Sequence, residues 1–276
     1  MMPETWNDVH QGLDEAEYHA SPGLSVSGAK TILDCPARFD WQRRNPRQKR
    51  VFDFGHAAHG KVLGVGLEVV AVPTDLLASN GAASTKAAKE WIEQARAEGK
   101  VPLKVEELAV VDAMATALER SDAAPLFRDG QAEQSLFWLD EATNLPLRAR
   151  LDWVTTWHDV PLVVDYKTTT NANPDQFRWE AGKFGYHMQD SWYREGMDTL
   201  TGTPHGFVFV AQEKEPPYLV SVVELDDDAR DIGTQRNGVA RRLYEWCLAE
   251  DRWPGYPGIH RISIPNARPA KETVHV

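Results

Sequence analysis

Between Val160 and Thr169 the chain reads VPLVVDYKTT, an almost unbroken apolar run that ends on two opposite charges. A short apolar run of this kind fits a strand covered on both faces. Side chains alternate along a strand, so Asp165 and Lys167 share one face and Tyr166 takes the other. The stretch before it, LPLRARLDWVTTW, alternates strictly. Arg148, Arg150 and Asp152 fall on one face, and Leu147, Ala149, Leu151 and Trp153 on the other. The connecting HDVP suits a turn, so an antiparallel hairpin is expected in which Asp152 and Asp165 converge. Two carboxylates and an ammonium at the end of a buried strand are expensive to desolvate unless they serve chemistry. A hard divalent cation relieves the repulsion, because Mg²⁺ is held by one or two carboxylates plus water and substrate phosphate. The lysine then orients a metal-bound water or helps to deprotonate it, as in metal-assisted phosphodiester hydrolysis. Each residue alone reads as a solvated edge or an ion pair; the combination points to a site.

The rest of the chain supplies layers for that hairpin. SVSGAKTILD follows serine caps, and Pro36 opens a second helical segment, PARFDWQRR. FGHAAHGKVLGVGL, TKAAKEWIEQARAEGK and VEELAVVDAMATALER are helix candidates. The second is capped at Ser84 or Thr85 and stopped at Gly99; the third buries Leu108, Val111, Ala115 and Leu118. AEQSLFWLD is a strand ahead of the hairpin, and HGFVFVAQE and YLVSVVELD are two more behind it. Asn173, Pro174 and Gln176 mark a helix start, with Gly182 and Gly185 breaking it before a second segment from Tyr186 to Leu200. Asp226 to Glu250 reads as a long helix with Ile232, Val239, Leu243 and Trp246 on one side. The order predicts an α/β fold: one central mixed sheet flanked by helices, with an N-terminal helical portion packed on it. Residues 1–23 are expected to be irregular and residues 24–253 to form one domain, helical to about 125 and catalytic from about 126. A Pro-rich tail covers 254–276.

Charge and cysteine count narrow the function classes. Forty-one acidic against 30 basic residues give a formal net charge of −11, so nucleic acid would have to meet a local basic patch. RRNPRQKR holds such a patch in Arg43, Arg44 and Arg47, which reads either as a solvated helix end or as a phosphate-tracking surface. Phe39 and Trp41 interleave with it, to stack on an unpaired end or to pack the helix. Two cysteines, Cys35 and Cys247, cannot supply the four thiolates of an iron–sulfur cluster or a four-cysteine zinc site. MMPETWNDVH lacks the basic flank and apolar core of a secretory signal, and no run approaches the roughly 18 apolar residues of a membrane span. A reducing, cytoplasmic setting with no membrane partner is the expectation.

Taken in order, these segments resemble the PD-(D/E)xK nuclease superfamily, in its RecB-like and RecE-like branch. Leu151-Asp152 followed by Asp165-Tyr166-Lys167 resembles its core, although Leu151 stands where a proline is usual. FGHAAH resembles the FGxxxH helix and implies His59 as a metal ligand. AEQSLFW resembles the acidic first strand and implies Glu133 at the site. Arg148-Ala149-Arg150-Leu151-Asp152 resembles the basic-x-Arg-x-Asp strand, with Arg150 ion-paired or meeting a phosphate. GYHMQDSWY resembles the Tyr-x-x-Gln-x-x-x-Tyr helix. It places Tyr186, Gln189 and Tyr193, with Gln189 supporting the catalytic lysine and Tyr193 approaching DNA. LSVSGAKTILDCPARFDW resembles the opening helix. Cys35 stands at the first iron–sulfur ligand position of clustered relatives, but the remaining ligands are missing, so no cluster is implied.

The resemblance spans about residues 24–210 and is strongest to the phage and prophage exodeoxyribonuclease VIII (RecE-like) group. It implies a restriction-endonuclease-like core and Mg²⁺ or Mn²⁺ between His59, Asp152, Asp165 and the Tyr166 carbonyl. Lys167 positions the attacking water, and Glu133 assists a second metal or water. It also implies 5′ to 3′ digestion of linear double-stranded DNA leaving 3′ tails, a ring-shaped homo-oligomer, and a single-strand-annealing recombinase partner. A non-cleaving binding module and an endonuclease are the alternatives on the same fold.

Overall fold

A computed structural model describes residues 7–45 and 53–262. Its elements begin with β1 (Asp8–Gln11), α1 (Glu15–Ala20), β2 (Leu24–Ser25), α2 (Val26–Asp34), α3 (Pro36–Arg44) and α4 (Asp53–Leu63). They continue with β3 (Val69–Ala71), α5 (Lys86–Ala97), β4 (Val101–Leu103), α6 (Val105–Glu119), β5 (Gly130–Leu139), β6 (Pro146–Trp157) and β7 (Val160–Thr169). They end with α7 (Pro174–Phe184), α8 (Tyr186–Thr201), β8 (Gly206–Glu213), β9 (Val220–Val223) and α9 (Asp227–Ala249). The strands form one mixed sheet in the order β1-β5-β6-β7-β8-β9, with β2 added beside β6. Its pairings are antiparallel except β7 with β8 and β2 with β6. The sheet is thus the mixed, helix-flanked one the sequence order predicts. A small parallel pair, β3 with β4, stands apart. Among the described residues no helix is long and apolar enough to cross a membrane.

Both faces of the sheet are covered. One face buries Leu136, Trp138, Leu147, Leu151, Val163 and Phe209 beneath α2, α7, α8 and α9. The other buries Trp153, Val164, Tyr166 and Val210 beneath α4 and α6. Double coverage explains why β7 reads as an apolar run rather than an alternating one.

Helix starts follow the expected chemistry. Ser25 accepts from the Gly28 N–H at 3.2 Å, and Thr85 rather than Ser84 accepts from the Ala88 N–H at 3.0 Å. Asn173 caps α7 through the Asp175 N–H at 2.9 Å, with Pro174 in the first turn. Gly182 stays inside α7; only Gly185, at φ +66°, ends it, in a left-handed conformation that favours glycine.

Three expectations need correction. The first twenty-odd residues are not irregular: β1 extends the sheet along β5, and α1 follows, capped by Asp14. Arg148 fixes that segment by donating to the carbonyls of Tyr18, His19 and Ser21 at the end of α1. The apolar stripe on α9 faces outward, with Ile232, Val239 and Trp246 all exposed. α9 instead buries Gly233, Asn237, Ala240, Arg241 and Cys247. Asn237 donates to the Met188 carbonyl at 3.0 Å, and Arg241 bridges Asp140 and Glu195 at 2.5 and 2.7 Å. Close helix approach and the hydrogen bonds made by buried polar side chains outrank apolar spacing here. Trp153, finally, does not join Leu147, Ala149 and Leu151; it packs in the opposite core, because the alternation slips at Asp152.

Candidate active site

The sheet forks at the two aspartates. The β6–β7 ladder runs from Trp157↔Val160 to Trp153↔Val164 and stops. Asp152 and Asp165, the next opposed pair, make no ladder bond. Instead the Asp152 Oδ2 accepts the Tyr166 N–H at 2.9 Å, so a side chain takes the place of a backbone carbonyl. Beyond the fork β7 continues along β8 as far as Thr169↔Glu213. β6 is covered there by β2, through Leu24↔Leu147 and Ser25↔Arg148. The two carboxylates therefore stand where two strands part, a place that a regular sheet would fill with backbone.

β5 bends at the same level. Its register with β6 places Glu133 opposite Asp152, between the pairs Ala132↔Trp153 and Gln134↔Leu151. Glu133 has φ +55°, which costs a non-glycine residue about 1–2 kcal/mol. From this kink its carboxylate meets Arg150 Nε at 2.5 Å and His59 Nδ1 at 3.8 Å. His59, on α4, reaches Asp152 Oδ2 through Nε2 at 2.9 Å. Asp165 is ion-paired with Lys167 and accepts from Gln189 Nε2 at 2.6 Å. Elements distant in sequence thus bring Glu133, Arg150, Asp152, Asp165, Lys167, His59 and Gln189 into one continuous polar cluster.

The ionisation states follow from these contacts. Burial works against a charged His59. The Asp152 carboxylate outweighs it, with help from Glu133 and Asp165, and raises the imidazole to about 9. Asp152 is held below the usual carboxylate range: burial opposes this, but His59, Lys167 and the Tyr166 N–H prevail. Asp165 is raised to about 6, by burial first and by the Asp152 charge, against the pull of Lys167. Lys167 is held well above the ordinary lysine value because Asp165 and Asp152 overcome its desolvation. In this arrangement it is a charged donor, suited to orienting a nucleophile.

Residues 25–262 match the family model described as "PDDEXK-like domain of unknown function (DUF3799)". The chain belongs to this PDDEXK-like family. A crystal structure of a "Putative exonuclease" from Eubacterium rectale is similar, with a TM-score of 0.60 and 13% identity, covering 92% of this chain and 97% of that one. At that identity the likeness is one of fold. No curated protein sequence matches.

In this PDDEXK-like chain the remaining sequence-marked residues are placed as follows. Tyr166 points away from Asp165 and Lys167, as alternation requires, and donates to Gln212 Oε1 at 2.6 Å. Gln189 touches Asp165 rather than the lysine. Tyr193 is hydrogen-bonded to Gln189 and packs near Phe207, so it stands behind Gln189. Tyr186 lines the site, with the Lys167 Nζ 5.3 Å from its ring centroid. Arg43 and Arg44 share the Asp40 carboxylate at 2.7 and 2.9 Å, and Arg47 lies outside the described residues. Phe39 packs against Tyr244 and Trp253. Cys35 and Cys247 are both buried free thiols.

Among the described residues no three Asp, Glu, His or Cys side chains are gathered as a ready-made metal cluster. The donors are instead satisfied by one another: His59 by Asp152, and Asp165 by Lys167 and Gln189. The donor set still suits a hard cation. Burial first, and then the Asp152 charge, lift Asp165 to about 6, and a divalent ion would offset both the desolvation and the repulsion. One residue at the site escaped the sequence reading. Lys30, on α2, lies 5.9 Å from the centroid of the Tyr186 ring that Lys167 also flanks. The available signal was its standing as the single basic residue of VSGAKTILD, within the opening helix.

Proposed function

We propose that the protein is a metal-dependent deoxyribonuclease that hydrolyses phosphodiester bonds at the ends of linear duplex DNA. The observation that carries this is the fork between β6 and β7, with Asp152 and Asp165 facing one another and Lys167 one pleat further on the same face as Asp165. Asp152, Asp165 and His59 would hold Mg²⁺ or Mn²⁺ with the Tyr166 carbonyl. When bound, the ion polarises the scissile phosphate and lowers the pKa of a coordinated water. The chain's own groups prepare that chemistry. Gln189 fixes one oxygen of Asp165 and leaves the other to Lys167. Lys167, paired with Asp165, would direct a lone pair of the attacking water toward phosphorus and offset charge on the phosphoryl oxygens. Glu133 holds Arg150 in place beside His59.

The finer reading follows the resemblance to RecE-like exonucleases: 5′ to 3′ digestion in the cytoplasm of a bacterium or infected host. The 3′ tails would pass to a single-strand-annealing recombinase, and a ring-shaped homo-oligomer would encircle the duplex. A ring reconciles a net charge of −11 with processive digestion, because only its inner wall needs to be basic. The test uses labelled linear duplex and a covalently closed circle, each with Mg²⁺, with Mn²⁺ and with EDTA. Wild type is expected to degrade the linear duplex only with metal and to spare the circle; Lys167→Ala is expected to bind without cutting. Cleavage of the circle would make the enzyme an endonuclease. Intact linear DNA under all conditions, with binding retained, would leave a non-cleaving module.

A further inference from the structure

Counting charge at the fork exposes an imbalance. Three carboxylates are each matched by a cation: Glu133 by Arg150, Asp152 by His59, Asp165 by Lys167. A fourth cation, Lys30, has no such partner. Among the described residues no carboxylate or carbonyl pairs with its ammonium, which lies over the face of the Tyr186 ring. Burial and the Lys167 charge lower it to about 8, with Asp165 acting in the other direction. A half-buried ammonium beside another ammonium is a poor choice for stability alone.

The fold nonetheless positions this side chain. β2 covers β6 where β7 has left it, and Ser25 caps α2 at once, so the helix starts beside the fork. The Lys30 stem lies along Gly185, whose absent Cβ would sit 3.3 Å from its Cε and 3.5 Å from its Cδ. Gly185 therefore serves twice, as the left-handed joint between α7 and α8 and as the floor under Lys30. The Tyr186 ring neighbours both amines, with Lys30 Nζ 5.9 Å and Lys167 Nζ 5.3 Å from its centroid.

We propose that Lys30 is a phosphate-binding residue of the active site, whose ammonium takes a backbone phosphate of the strand being cut, next to the linkage addressed by Lys167. This rests on the nuclease reading above. The ligand is a nucleic-acid phosphodiester, and its negative charge supplies the partner that the protein itself withholds. A single ammonium matches it as a point charge, without the bidentate fork of arginine.

The test uses the full chain with Lys30→Met, Lys30→Arg and Lys167→Ala. Duplex binding is measured in EDTA across a salt series, single-turnover cleavage in Mn²⁺, and thermal melting alone. Methionine preserves the stem over Gly185 and removes the charge. Lys30→Met is expected to lower the slope of log K against log salt by about 0.9, the signature of one lost phosphate contact. Cleavage is expected to fall about 10–100-fold, as for a lost charge-assisted hydrogen bond. Its melting temperature is expected to equal or exceed that of wild type, because a structural lysine would show the opposite. Lys30→Arg is expected to restore the slope. An unchanged slope in Lys30→Met, or a lowered melting temperature with unaltered binding, would overturn the assignment. If that happens while wild type cleaves and Lys167→Ala does not, only Lys30 is misassigned. If wild type itself leaves linear DNA intact, the nuclease reading falls and this inference falls with it.

Discussion

The imidazole of His59 offers the sharpest quantitative test of the site. Its pKa rises from 6.5 to about 9 on folding, because the Asp152 pair outweighs burial. Each unit is worth 1.36 kcal/mol, so the folded state gains up to about 3 kcal/mol from binding this proton. That stabilisation is fully present below pH 6.5 and is lost as pH rises through about 9, since between those values the native state holds a proton that the unfolded chain has released. The Asp152 shift reports the same pair and adds nothing separate. Urea unfolding in EDTA, with wild type and His59→Gln compared across that window, measures the effect. Wild type is expected to lose about 3 kcal/mol more than the variant between the two ends, and the variant to be the weaker protein at the acidic end. Saturating Mn²⁺ is expected to flatten the wild-type curve, because a ligated imidazole carries no second proton to release. Parallel curves for the two proteins in EDTA would show that His59 and Asp152 do not share a proton, and the pairing at the fork would be wrong.

Three other perturbations reach different parts of the structure. Gln189→Leu strips the hydrogen bond from a buried carboxylate oxygen; Asp165, already near 6, is expected to titrate about one to two units higher, read by carboxyl-carbon NMR in EDTA. Asp190 is fully buried on α8 with both oxygens lacking a hydrogen-bond partner, and burial lifts it to about 7. Its ionisation weakens the fold as pH rises from about 4 to about 7, so Asp190→Asn is expected to raise stability by about 1–3 kcal/mol at pH 8 in denaturant melts. Neutralising Arg43, Arg44 and Arg47 together is expected to flatten the salt dependence of DNA binding by about two counterions rather than three, since Arg43 and Arg44 share Asp40.

Much of the fold was legible because local signals agreed with one another. The apolar entry into Asp165, the alternation before Asp152, the serine and asparagine caps and the glycine at 185 each specify an element without help from the rest. β1 and α1 were missed because their order comes from far away: β5 supplies the pairing, and Arg148 gathers the carbonyls of α1. The buried side of α9 was misjudged for a related reason. Gly233, Asn237 and Arg241 are unremarkable as sequence, and only the approach of α8 and the partners Asp140 and Glu195 make them core. Lys30 shows the same limit at the site. Nothing local distinguishes it from a solvated helical lysine until β2 pairs with β6 beyond the fork and starts α2 beside it.

Period-two reading failed at one level of the sheet, and that level is the site. Through Leu151 the inward residues of β6 all enter one core, yet Trp153 enters the other. In β5 the same slip separates Ala132 from Leu136 and Trp138, and Glu133 lies between them with its left-handed φ. Two neighbouring strands that slip together keep their mutual register, which is why Ala132↔Trp153 and Gln134↔Leu151 both survive. The slip turns the Glu133 and Asp152 carboxylates toward His59, instead of continuing the row that Arg148 and Arg150 begin. A glycine at 133 would remove about 1–2 kcal/mol of backbone strain, but it would leave Arg150 without its carboxylate. Keeping a strained glutamate there makes physical sense only if the position of that charge is worth more than the strain it carries. Local rules fail in β5 and β6 at the level of the candidate site, where the strands present charges that a regular sheet cannot.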